Sequence, residues 1–202
     1  LHLSDGEFKL SAQITDRLNN DTFRRFLIDN TDYAIEKYDA FFDEELDTVG
    51  FIRYQKYTRK DVFRALNWSQ NPMAQNVGGY MVSKDKTNCA IFVNYHKAEG
   101  ISGTTKYDDG FVSPSEFKWM SKSKRKLSSP DVNSIRYEKM RLPLFVKKHN
   151  DEGDDFYFMG DMTPIEESFE DATLNGASVV KVRFKMDQSV DEEVYRYITE
   201  EA

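Results

Sequence analysis

Apolar and polar positions alternate most clearly toward the C-terminal end. Val180, Val182, Phe184 and Met186 fall on one side of an extended chain, and Lys181, Arg183 and Lys185 on the other. That period of two predicts a half-buried strand over 178–186. Shorter apolar runs predict strands at 51–54, 79–82, 90–95, 144–147 and 156–160, with an acidic turn at 150–155 between the last two. Thr58-Arg59-Lys60-Asp61 approximates a capping box with Asp in place of Glu, so a helix is expected over 59–66. A second short helix is expected over 191–198, capped by Ser189 and led by Asp191, Glu192 and Glu193. The N-terminal stretch reads as helical and peripheral. Phe23, Phe26 and Leu27 follow an Asn20-Asp21 cap, and Tyr33, Ile35, Tyr38, Phe41 and Phe42 continue an irregular apolar stripe. A basic, Ser-rich loop at 121–129 ends at Pro130. Turn signals recur at short intervals through the middle. The expected fold class is therefore α+β: a curved, mainly antiparallel sheet or small barrel, with flanking helices and an N-terminal helical segment. The expected division is a helical connector over 1–49 and a domain over 50–202.

Composition narrows the class. The 202 residues, 14% aromatic and with 15 Phe and 11 Tyr, supply a core that a disordered chain lacks. The single Cys rules out a disulfide framework and a Cys-rich zinc site, and points to a reducing, cytoplasmic compartment. No apolar run approaches the roughly 20 residues of a membrane span. The chain opens Leu1-His2-Leu3, without Met or a basic-then-apolar leader, so its first segment reads as the cut end of something longer.

The net charge of −7 argues against a polyanion partner until it is resolved along the chain. Residues 1–49 carry −7 and residues 149–202 carry −11, whereas residues 50–148 hold 19 basic and 8 acidic side chains, a net +11. Either these charges pair across the surface, or the middle builds a polyanion-binding face between solubilising acidic flanks.

Candidate chemistry follows the same segment. Phe117-Lys118-Trp119-Met120-Ser121-Lys122-Ser123-Lys124-Arg125-Lys126 sets aromatics beside five cations. Those cations can neutralise phosphates, and Trp119 can stack on a base. The plainer alternative is a solvated loop with Trp119 in the core. A second cationic group, Arg53, Lys56, Arg59, Lys60 and Arg64, surrounds the capped helix, whose positive end favours an anion. Tyr107, Asp108, Phe111, Phe117, Trp119 and Ser121 can supply the aromatic walls and carboxylate of a pocket for an extruded base. An ordinary turn at Asp109-Gly110 between core aromatics competes with that reading. Cys89 leads an apolar strand and is expected to be a buried thiol. His2, His96 and His149 lack ligand spacing, and the Asp151–Asp155 cluster lacks the pattern of a calcium loop. No phosphate loop or nucleophile elbow occurs, so neither catalysis nor a cofactor is expected.

The order of these motifs resembles one family. Tyr57-Thr58-Arg59-Lys60-Asp61-Val62, Leu66-Asn67-Trp68, Gly79-Tyr80 and Ile91-Phe92-Val93-Asn94-Tyr95-His96-Lys97 carry the likeness. Tyr107-Asp108-Asp109-Gly110-Phe111, Phe117-Lys118-Trp119-Met120-Ser121 and Leu144-Phe145-Val146-Lys147-Lys148 extend it over roughly residues 50–160. The family is similar to the C-terminal target-recognition domains of SauUSI-like type IV, modification-dependent restriction enzymes, which follow superfamily-two helicase modules. Met120 departs from the family's pattern, which has Gln there. The resemblance implies a non-catalytic SRA/PUA-like barrel over 50–202 that binds double-stranded DNA bearing 5-methylcytosine or 5-hydroxymethylcytosine, by base flipping. It implies helicase and nuclease domains in the same bacterial polypeptide, a role in phage defence, and no membrane partner. Rival readings are a module docking on a helicase and a PUA-like RNA binder. On the leading reading, the cations of 53–64 and 118–126 hold the duplex, and Trp119→Ala weakens binding while leaving the fold intact.

Overall fold

The computed structural model describes residues 2–4, 7–42, 46–68, 72–96 and 108–200. The chain divides into two compact units, Leu1–Glu44 and Glu45–Ala202. In the first, β1 (His2–Ser4) and β2 (Glu7–Lys9) form an antiparallel pair ahead of α1 (Ala12–Arg17) and α2 (Asp21–Phe41). Asn20 caps α2 by accepting the Phe23 N–H at 3.0 Å. Phe26, Tyr33, Ile35 and Tyr38 lie exposed along that helix.

The second unit opens with the hairpin β3 (Asp47–Thr48) and β4 (Phe51–Ile52), so residues 46–49 belong with it. Then come β5 (Lys56–Thr58), α3 (Arg59–Ala65), α4 (Ala74–Val77), β6 (Tyr80–Val82) and β7 (Cys89–His96). They are followed by β8 (Gly110–Ser113), β9 (Glu116–Met120), α5 (Pro130–Tyr137), β10 (Pro143–His149) and β11 (Asp155–Pro164). The unit ends with β12 (Glu170–Leu174), β13 (Ala177–Met186) and α6 (Glu192–Thr199).

Nine of these strands share one sheet, in the order β6-β7-β10-β11-β13-β9-β8, with β12 on β13 and β5 on β11. Every pairing in it is antiparallel except β7 with β10. That parallel pair reads as continuous apolar sequence because both of its faces are covered. Ile91, Val93, Leu144 and Val146 enter one core cluster, whereas Ala90, Phe92 and Phe145 enter a second with Phe51, Phe63, Phe156 and Phe158. Curvature comes from β11. It pairs with β10 up to Asp161 and with β13 from Met162; just before that switch β11 itself bulges, with Met159 as the extra residue between Phe158 and Gly160, and Gly160 adopts φ +121°. The α+β fold with a curved, mostly antiparallel sheet is thus as the sequence implies.

Local differences have plain causes. α5 begins at Pro130, where the sequence alone shows only the end of a loop; Pro at the first helical position and buried Val132 and Ile135 fix it. α6 is capped by Asp191, which accepts the Glu193 N–H at 2.9 Å. The expected cap, Ser189, instead spends its hydroxyl on Ser115. Among the described residues no helix is long and apolar enough to cross a membrane.

Candidate nucleic-acid interface

β9 delivers the basic loop. Its period of two sends Phe117 and Trp119 inward and Lys118 outward. Trp119 packs edge-on against Tyr80 and Phe184, with ring centroids 4.8 and 5.7 Å away, and is 3% exposed. Phe111 meets Phe117 at 4.9 Å and Tyr195 at 5.8 Å, also in the core. Ser121 is buried, its hydroxyl oxygen accepting the Val180 N–H at 2.8 Å. These four residues hold the sheet's core together and offer no open face to a base, which corrects the pocket expected from the sequence. Tyr107 lies outside the described residues.

Asp108 does face solvent, where it accepts from Lys118 Nζ at 2.7 Å. It borders a cleft of about 380 Å³ over the outer face of β9 and β13. That cleft is lined by ion pairs: Lys118–Asp108, and Lys181–Glu170 at 3.8 Å. Arg183, also on its wall, reaches Glu116 at 3.0 Å. Trp119, Met120 and Val182 also line it, but the Trp119 ring is almost wholly covered, so the trough presents charged walls and no open aromatic face for a base to stack on.

After Ser121 the loop is built outward from an anchored stem. Lys122 is half-buried, with its ammonium 4.6 Å from the Tyr80 ring centre. Burial, and then the charge of Arg125, push its pKa down. Arg125 Nε donates to Asp131 Oδ2 at 2.7 Å, and the Tyr80 hydroxyl donates to the same oxygen at 2.6 Å. Burial alone would raise the Asp131 pKa, but hydrogen bonds from Arg125 and Tyr80 outweigh it and hold the carboxyl below its usual range. Burial and the Asp131 contact push the Tyr80 phenol up, so it remains a donor. Lys124 and Lys126 stand exposed beyond this stem.

Of the cations around α3, Lys56, Lys60 and Arg64 are exposed, whereas Arg53 is buried and Arg59 half-buried. Arg53 is 6% exposed and donates to Gln188 Oε1 at 3.0 Å and the Ser189 carbonyl at 2.7 Å, tying β4 to the end of β13. Lys56 pairs with Glu152 at 4.0 Å and Arg64 with Asp61 at 3.8 Å. The Arg59 guanidinium lies 4.5 Å from the Phe156 ring centre and 5.1 Å from that of Phe92. Its pKa is lowered by burial, against the pull of Asp154. Asp155 pairs with Thr58 across β11 and β5, which brings the acidic turn back onto these cations. Lys60 remains exposed.

A second cleft, of about 400 Å³, was not anticipated from the sequence. α3 ends as Asn67 takes φ +55°, and the Trp68 N–H then bonds the Phe63 carbonyl at 3.0 Å. Trp68 Nε1 donates to the Oδ1 of buried Asn88 at 2.6 Å, and its ring rests on Phe63 at 4.6 Å. Leu66, Pro72, Met73 and Met81 form apolar walls, with Asn67, Asn76, Lys84 and Asp85 at the edge. The α4–β6 segment links this cleft to the loop. Asn76 and Met81 line the cleft, Tyr80 lies beneath Lys122, and a Cβ at Gly78 would come within 3.3 Å of Lys122 Cε. Among the described residues no group of three His, Cys, Asp or Glu side chains is placed to hold a metal.

A family model, DUF3427 (domain of unknown function), matches residues 51–198. The chain belongs to the DUF3427 family. No curated protein sequence matches it. The DUF3427 chain is similar to the solved structure of the SUVH5 SRA domain with fully methylated CG DNA. The TM-score is 0.45 at 11% identity, covering 73% of this chain and 97% of that one. It is similar also to the DNA modification-dependent restriction endonuclease AspBHI, with TM-score 0.47 and 14% identity, over 80% of this chain and 49% of that one. Arabidopsis thaliana SUVH6 in complex with SAM gives TM-score 0.45 and 11% identity, over 78% of this chain and 31% of that one.

Proposed function

We propose that this DUF3427 chain is a non-catalytic reader of duplex DNA containing 5-methylcytosine or 5-hydroxymethylcytosine. In this reading it receives the modified base extrahelically. Cleavage and ATP hydrolysis belong to nuclease and helicase domains of the same polypeptide, in a SauUSI-like, type IV restriction enzyme.

The observation that carries the reading is the loop 121–126. Exposed Lys124 and Lys126 project from a stem in which Asp131 fixes Arg125 at 2.7 Å and Tyr80 lies under Lys122. A loop backbone ordered before binding, here by Arg125–Asp131 and by the Lys126 N–H on the Ser129 hydroxyl, loses less entropy when its cations meet phosphates. Lys122 meets Gly78 and Tyr80 at the start of edge strand β6, whose other face, through Met81, lines an apolar cleft bearing an immobilised Trp. A duplex held by its backbone beside a cavity of that size is the arrangement that base extrusion requires.

A gel-shift series at fixed salt tests the reading, using methylated, hydroxymethylated and unmodified duplexes and an RNA of the same sequence. Tighter binding to a modified duplex supports it, and equal affinity for all duplexes overturns it. Preference for RNA would assign the basic loop to an RNA binder. Absence of binding to any of them would favour protein docking, for which the exposed Phe26, Tyr33, Ile35 and Tyr38 of α2 are the specific observation.

A further inference from the structure

We propose that the Trp68 cleft is the seat of the extruded modified cytosine, which rests on the reading of the chain as a modified-cytosine reader. Three observations lead there. First, the residues expected to wall a base pocket, Phe117 and Trp119 above all, are committed to the core, and the Asp108 trough is lined by ion pairs. Second, the Trp68 cleft combines what a base requires. Its volume of about 400 Å³ falls in the range of small-molecule sites, and its walls are apolar. Its indole is held from behind by Phe63 and through Nε1 by Asn88, so it cannot turn away.

Third, the edge carries groups suited to a cytosine. Asp85 Oδ1 accepts from the Ser83 hydroxyl at 2.6 Å and from the Thr87 N–H at 3.1 Å and hydroxyl at 2.8 Å. These bonds hold its carboxyl below the usual range, so it stays ionised and its second oxygen can accept from the exocyclic amine. The amides of Asn67 and Asn76 can donate to the ring nitrogen and carbonyl. The 5-methyl group would meet Met73 and Met81, unbranched thioethers that adapt to small differences in shape.

The test uses the 202-residue chain, with methylated and unmodified duplexes in fluorescence anisotropy and intrinsic Trp fluorescence. Met73 is 73% exposed, so Met73→Arg should fold normally and block the cleft while adding a cation. The expected result is loss of the preference for methylated DNA, with affinity for the unmodified duplex kept or raised. Methylated duplex should quench Trp fluorescence in the wild type and not in Trp68→Phe, which retains Trp119. A Met73→Arg protein that keeps the full preference, or quenching that survives in Trp68→Phe, would overturn the assignment. A wild-type chain without preference for either duplex would instead remove the underlying reading, and this inference with it.

Discussion

Asp131 is the residue on which the loop's order depends, and Asp131→Asn is the perturbation that isolates it. The carboxylate accepts from Arg125 at 2.7 Å, from Tyr80 at 2.6 Å and from the Val132 N–H at 3.1 Å. Hydrogen bonds to charged groups contribute about 1.5–3 kcal/mol each when shielded. Arg125 is 36% exposed, so solvent screening cuts its share to about 0.5–1 kcal/mol. An amide keeps one acceptor oxygen but not the charge, so a net loss of about 1–2 kcal/mol is expected. That corresponds to a fall in Tm of about 2–8 °C for a protein of this size. Urea unfolding at several pH values is the assay. Because the folded-state pKa of Asp131 is depressed, its contribution is fully present above the unfolded value of about 3.9 and is lost as pH falls through the folded value. The gap between wild type and Asp131→Asn should therefore be constant near neutrality and close in acid. Equal midpoints at pH 7, or a gap unchanged below about pH 3.5, would refute this role for Asp131.

Three further outcomes follow from the geometry. Trp119→Ala should destabilise the protein by about 3–5 kcal/mol in urea unfolding, because the ring is a core element and not a free stacking face. Lys124→Glu with Lys126→Glu should leave stability within about 0.5 kcal/mol. In a salt titration the same pair should flatten the dependence of DNA affinity by about 0.9 in slope for each phosphate it no longer neutralises. Cys89 is wholly buried and burial pushes its thiol pKa far up, so a thiol reagent should label it only after denaturant is added.

Local pattern made some of this legible and long-range pairing hid the rest. Val180, Val182, Phe184 and Met186 are buried and Lys181, Arg183 and Lys185 exposed, as strict alternation requires. Thr58 caps α3 through the Asp61 N–H at 3.2 Å, a partner three residues away. Arg53 looked like a phosphate contact because its partners, Gln188 and Ser189, lie more than a hundred residues on. Likewise Lys56 meets Glu152 only after β5 and β11 have paired. For Phe117 and Trp119 the signal was present: two aromatics spaced by two, flanking a lysine, are the inward face of a strand. The Asn175-Gly176 pair, at φ +48° and +80°, likewise marks the β12–β13 turn in the sequence itself. Trp68 had no local periodicity to reveal it, since its partner Asn88 is twenty residues away and the cleft closes only when β6 pairs with β7.

Modified-cytosine reading is tested most directly by the ratio of dissociation constants for one duplex with and without 5-methylcytosine, at a single salt concentration. Burial of one methyl group contributes about 0.8 kcal/mol, so a reader of this kind should prefer the methylated strand by roughly fourfold or more. A ratio of one, in a folded protein that binds both duplexes, would contradict it.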